Sequence, residues 1–145
     1  MKKMILSLMS VILLCSGCDV YTTKVIKPGV DIYTYYKDVF PDEWSQSGKA
    51  GELGCYYYAD FTFKEIDNRV MKDGAVTVYL IDEEDNDNPL PYLFPVWNGR
   101  KTLMQNIRYS VSKGVLTIKI EWEDNDIYEL RDKMNFKVCI LSPGD

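Results

Sequence analysis

The chain of 145 residues contains no histidine. That absence removes imidazole zinc sites, Ser-His-Asp and Cys-His catalysis, and the commonest general base near neutral pH. No run of Lys or Arg occurs, and acidic residues outnumber basic ones by 22 to 17. Nucleic-acid binding, which depends on neutralising phosphates with clustered cations, is therefore not expected. No nucleophile motif and no phosphate-binding loop are present, so the chain reads as a non-enzyme without a cofactor. Long apolar runs are missing too. The main apolar stretch, Met4 to Leu14, is broken by Ser7 and Ser10, well short of the roughly 20 residues that a membrane-spanning helix needs.

That stretch belongs to an export signal. Lys2 and Lys3 give a positive start, the apolar run follows, and Ser16-Gly17 supply small residues before Cys18. This is the layout of a cleavable signal peptide over residues 1–17. The sequence Leu14-Cys15-Ser16-Gly17-Cys18 resembles a lipobox, departing from it at Cys15, where Leu is usual. The resemblance implies cleavage before Cys18 and a diacylglycerol thioether on its sulfur. The alternative is ordinary cleavage after Gly17 and release. Each buried methylene contributes about 0.8 kcal/mol, and stable anchoring takes two chains or signals; an acylated Cys18 would meet that need. The expected location is the cell envelope, anchored by lipid on the outer membrane. Without residues 1–17 the net charge falls from −5 to −7, so docking on an anionic surface by charge is not expected. Only Cys55 and Cys139 then remain as thiols. A compartment that permits disulfides allows a bridge; strand parity favours two separate thiols, with Cys55 on an apolar face and Cys139 on the Lys137 face.

Residues 18–30 read as a lipidated tether ending at the Pro28-Gly29 turn, and 31–145 as one domain. Seven segments carry strand signals: 31–38, 55–64, 75–81, 90–97, 105–112, 115–123 and 134–141. In CYYYADFTFK (55–64), Tyr57, Ala59, Phe61 and Phe63 take one face and Tyr56, Tyr58, Asp60 and Thr62 the other. AVTVYLI (75–81) is nearly continuous apolar and reads as a central strand. Pro91 and Pro95 place 90–97 on an edge. Lys113-Gly114 joins a hairpin in which Ile107, Tyr109 and Val111 face Leu116, Ile118, Ile120 and Trp122. Met134, Phe136, Val138 and Ile140 point inward on the last strand. Residues 65–73 predict one short helical turn, and Trp44 packs onto the domain edge. The fold class is all-β: a roughly seven-stranded antiparallel sandwich, Ig-like or similar, with a small barrel as the alternative.

Tyr56-Tyr57-Tyr58-Ala59-Asp60-Phe61, Glu65-Ile66, Val70, Gly74-Ala75-Val76, Val78-Tyr79, Leu90-Pro91-Tyr92 and Phe136-Lys137-Val138 occur in that order. Together they resemble a group of uncharacterised small β-sandwich lipoproteins of Gram-negative gut bacteria. The resemblance spans about residues 55–141 and implies a shared all-β fold and surface location. It carries no activity and no site residues.

Two features invite a site. Tyr56, Tyr58, Asp60 and Trp97 could form an exposed aromatic platform for a glycan or an envelope protein, although tyrosine also favours strands for packing reasons alone. The loop Asp82-Glu83-Glu84-Asp85-Asn86-Asp87-Asn88 could offer oxygens to calcium, but Pro89 and Leu90 fall where an EF-hand needs a ligand and a glycine. Such loops are more often solvated turns, and no metal site is expected. A non-catalytic envelope protein that binds or supports structure is the leading expectation. The alternative is a carbohydrate-binding accessory protein or a glycoside hydrolase using acidic residues.

Overall fold

A computed structural model of the chain describes residues 22–27 and 29–144, with side chains from residue 29 onward. The export signal and Cys18 lie outside the described residues. The alternating segments become ten strands: β1 (Thr22–Lys27), β2 (Val30–Val39), β3 (Ser45–Ser47), β4 (Tyr56–Thr62), β5 (Ala75–Ile81), β6 (Asp87–Pro89), β7 (Tyr92–Trp97), β8 (Thr102–Ser112), β9 (Val115–Trp122) and β10 (Met134–Pro143). They form two five-stranded antiparallel sheets, ordered β1-β2-β10-β5-β6 and β3-β4-β9-β8-β7. The two sheets pack face to face as an all-β sandwich.

The core follows from period two. On β9, Leu116, Ile118 and Ile120 have no exposed surface, and on β10 neither do Phe136, Val138 and Ile140. These residues point into the gap from opposite sheets, each burial contributing about 1.5–3 kcal/mol. The hairpin register pairs Ile107 with Ile120, Tyr109 with Ile118 and Val111 with Leu116, as the sequence predicts around Lys113-Gly114. Tyr35 meets Phe63 at 4.8 Å between ring centroids, so β2 lies over β4. The Tyr109 hydroxyl donates to the Val76 carbonyl at 2.9 Å, so β5 lies over β8. Strand β7 is an edge, as its prolines require.

Several details depart from expectation. The seven predicted strands are all present, and three short or peripheral ones join them. Thr22–Lys27, within the stretch read as a tether, pairs antiparallel with β2. β5 is second from an edge rather than central, with the three-residue β6 outside it. Trp44 does not rest on the domain edge. It follows a 3-10 turn over Pro41–Glu43 and is buried against Phe136, rings 6.2 Å apart and edge to face. Cys55 and Cys139 are separate thiols.

The helical turn expected in 65–73 is α1 (Asn68–Asp73). Asp67 caps it, its Oδ1 accepting the N–H groups of Arg69 at 2.9 Å and Val70 at 3.0 Å. Val70 alone of this helix enters the core. Among the described residues no helix is long and apolar enough to cross a membrane.

Gly74 ends α1 where the chain passes between that helix and β10. A Cβ there would collide with the Leu141 carbonyl and lie 2.7 Å from Val70 Cα, both backbone atoms. Gly74→Ala should therefore destabilise the domain by about 1–3 kcal/mol, read as a fall in the urea midpoint. Equal stability of Gly74→Ala and wild type would remove the steric argument.

Candidate binding cleft at one end of the sandwich

The outer face of the second sheet gathers three of the four predicted platform residues. Register sets Tyr58 beside Lys119 and Asp60 beside Thr117, and Lys119 beside Arg108. The Tyr56 and Tyr58 rings stand edge to face at 6.2 Å, with Lys119 Nζ 4.8 Å from the Tyr56 centroid. The Thr117 hydroxyl donates to Asp60 Oδ1. Arg108 grips Glu121 through Nε at 3.0 Å and a second guanidinium nitrogen at 3.1 Å, and Asn106 donates a third bond at 2.9 Å. The Arg108 hydrogen bond holds Glu121 below its ordinary carboxylate range, and the same contact raises Arg108. A hydrogen bond with Ser47, then the charge of Lys119, lowers the Tyr56 phenol. The charged groups of this face thus largely answer one another. A groove of about 410 Å³ runs beside it, under Leu53, Leu93 and Met104.

Trp97 is not part of that cluster. It ends β7 opposite Thr102, three strands away from β4 and several residues further along. Strand geometry puts it roughly 20 Å from Tyr56. It is 65% exposed and stands instead at the mouth of a cleft of about 650 Å³ at the end of the sandwich.

This cleft is built by two connections. The first follows β7: the Asn98 side-chain oxygen accepts the N–H groups of Arg100 at 3.0 Å and Lys101 at 2.9 Å, and Gly99 supplies the left-handed φ of +92° that closes the turn. The second is the connection from β9 to β10. There Asn125 takes a φ of 58° and its N–H donates to the Trp122 carbonyl at 3.0 Å. The Tyr128 hydroxyl donates to Asp124 Oδ2 at 2.7 Å, and Lys101 Nζ reaches the same carboxylate at 3.4 Å. The Lys101–Asp124 contact ties the two connections to each other.

The aromatic wall continues into the core. Tyr128 packs edge-on to Trp122 at 5.5 Å, and Trp122 to Tyr57 at 6.0 Å. Leu103, Leu130 and Met134 complete the apolar lining, while Glu129, Arg131 and Asp132 stand on the polar side. Donation to Asp124 raises the Tyr128 phenol. Burial alone would raise Asp124, but hydrogen bonds from Tyr128, the Asp126 N–H and Lys101 outweigh it and lower the group. An aromatic-lined cleft of this size with a few convergent polar groups is the usual form of a small-molecule site.

The loop Asp82–Asn88 is organised around one carboxylate. Asp82 Oδ1 accepts the N–H groups of Glu84 and Asn86 at 3.0 and 2.9 Å, and Oδ2 accepts Asn88 Nδ2 at 3.0 Å. The Asn86 N–H contributes most to lowering its pKa. Asp87 pairs with Lys137. Among the described residues no three acidic or thiol side chains converge as a metal would require.

The sequence singles out Trp97 but not its neighbours in the cleft lining, Asn98, Tyr128, Leu130 and Arg131. One signal was available: the connection over 124–133 exceeds the usual four to six residues, and long connections often carry sites. Comparison with known protein families, curated proteins and solved structures gave no match.

The Arg108–Glu121 pair has a pH signature. A depressed folded pKa contributes stability above the ordinary value of 4.5, and that contribution is lost as pH falls through the folded value. Glu121→Gln should cost about 0.2–1 kcal/mol at pH 7, as partly exposed pairs do. The gap should close below pH 4.5 in urea titrations. A gap that stays constant down to pH 3 would mean that the charge is not what stabilises.

Proposed function

We propose that this chain is a non-catalytic binding protein, lipid-anchored through Cys18 on the outer membrane, that takes its ligand in the end cleft. The observation that carries the binding half is exposed Trp97 at the mouth of a cavity whose walls, Trp122 and Tyr128, are already locked to one another and to Asp124. A large exposed indole costs solvation that a partner would recover, and the fixed walls lower the ordering cost of binding.

An anchor at Cys18 and the cleft would lie at opposite lateral edges of the sandwich. β1, the strand nearest Cys18 in sequence, forms one edge of its sheet, and β7 an edge of the other. Because β2 lies over β4 and β5 over β8, those two edges are on opposite sides of the sandwich. Four residues from Cys18 to Thr22 span at most about 14 Å, which would keep the domain close to the bilayer. The Thr22 end of β1 points toward Val39 and Met134, so the anchor would leave by the same end of the sandwich as the cleft, at the opposite lateral edge.

The anchor is tested by fractionation and mass. Wild type should enter the membrane fraction with an N-terminal Cys18 carrying acyl mass, and Cys18→Ala should lose both. An N-terminus at Cys18 without acyl mass would end the anchor reading. The cleft is tested by hydrogen exchange on the mature protein in detergent, with and without an envelope extract. Protection should appear over 96–103 and 124–134 and not on β4. Protection confined to Tyr56–Thr62 would transfer the function to the outer sheet face, and no protection would remove the binding reading.

A further inference from the structure

We propose that the ligand of this cleft is an uncharged oligosaccharide, a proposal that rests on the cleft being the binding site. The argument starts from charge. The cationic side chain on the cleft's polar side, Arg131, is already paired, its Nε 3.2 Å from Glu129 Oε2. Lys101, behind the wall, is spent on Asp124. Beside them stands Asp132, in a chain whose net charge is negative. Glu129 and Asp132 outnumber Arg131 in the lining, so a phosphate, sulfate or uronate would enter a field of its own sign.

A purely apolar ligand fits no better. Seating one against the polar side would strip water from the Glu129–Arg131 pair and the Asn98 amide without replacing its hydrogen bonds, a cost of the kind that buried polar groups always carry. The occupant must therefore offer an apolar face and a hydroxyl rim together. A pyranose ring does both: its axial C–H groups form one weakly positive face, and its hydroxyls donate and accept around the edge.

The cleft is arranged for that division. Trp97 presents an indole, 65% exposed, whose negative ring face suits C–H groups. The polar part of the lining mixes donors and acceptors in planar forks: the Asn98 amide, the Arg131 guanidinium, and the Glu129 and Asp132 carboxylates. Vicinal hydroxyls match such forks in pairs. Two features fix the spacing between stacking surface and rim. Asn98 directly follows Trp97 in a turn closed by its own side chain, and the opposite wall is tied back through Tyr128, Asp124 and Lys101. A volume of about 650 Å³ lies within the range of small-ligand sites, about 300–1,000 Å³. The mouth is open to solvent, so a longer chain can continue past Trp97.

The test uses the mature acylated protein in a detergent without a sugar headgroup. Uncharged gluco-, manno-, galacto- and xylo-oligosaccharides are titrated by calorimetry and tryptophan fluorescence, alongside oligogalacturonate and heparin fragments as anionic probes. At least one uncharged series should bind and none of the anionic ones. Trp97→Ala should weaken binding at least tenfold, with Trp97→Phe recovering part of it. The thermal midpoint should hold, because Trp97 lies outside the buried core. Binding of anionic probes alone, or uncharged binding unaltered in Trp97→Ala, would overturn the proposal. If no saccharide binds while envelope extract still protects 96–103 and 124–134, the sugar assignment falls and the cleft stands. If that protection is missing as well, both fall.

Discussion

Burial on alternate residues of β8, β9 and β10 is the constraint from which the rest of the molecule follows. Leu116, Ile118 and Ile120 face Phe136, Val138 and Ile140 across the sheet gap, and none of the six is exposed. A slip of one residue in either strand would turn all three of its apolar side chains outward and bring Thr117, Lys119 and Glu121, or Lys137 and Cys139, into the gap. Register is therefore held by many side chains at once. With it are fixed the outward row Asp60–Thr117, the Arg108–Glu121 pair and the point at which each strand runs out. The cleft lies where β7 and β9 run out. Its residues owe their positions to core packing more than to contacts of their own.

That origin explains what could be read in advance. Strands of six residues or more announce themselves, β1 excepted, because alternation repeats often enough to be recognised, as in Tyr56–Thr62 and Val115–Trp122. β3 and β6 have three residues each, too few for a period, and exist because a longer neighbour offers them hydrogen bonds. Continuous apolar character misplaced β5: a strand reads as central when both faces are apolar, yet Ala75–Ile81 sits next to a short edge strand. Trp44 reads as peripheral because polar turn residues surround it. It is internal because the turn at Pro41–Glu43 crosses between the sheets and delivers the indole onto Phe136.

The candidate site was legible in part for the same reason. Sequence parity assigns Tyr56, Tyr58 and Asp60 to one face, and the structure keeps them together. Parity is silent about distance along and across a sheet, so Trp97 could be grouped with Tyr56, Tyr58 and Asp60 although it stands at another corner of the same sheet. The partners it does have, Asn98 from its own turn and Tyr128 from a connection thirty residues on, meet only because β8 and β9 form a hairpin that returns the chain to the same end. No local pattern encodes that meeting. The acidic loop is the converse case. Its residues suggest a cation, but Asp82 spends both oxygens on its own loop's N–H groups, which is how a short carboxylate side chain stabilises a turn.

The missing histidine and the wall of the cleft lead to one further consequence. Asp124 is lowered and Tyr128 raised by the bond they share, so near neutrality each keeps the protonation state that the bond requires. Lys101, the third member, is a lysine whose charge contact stabilises the ionised carboxylate further. No imidazole stands anywhere in the chain to change charge between pH 5 and 8. A tie held by groups of this kind does not loosen with modest changes in acidity, and the gap between Trp97 and the polar side keeps its width. On the proposal of an uncharged ligand, recognition there would rest on shape and on paired hydrogen bonds, equally well across that range of pH. The same lack of histidine makes the cleft wall a steady one across that range.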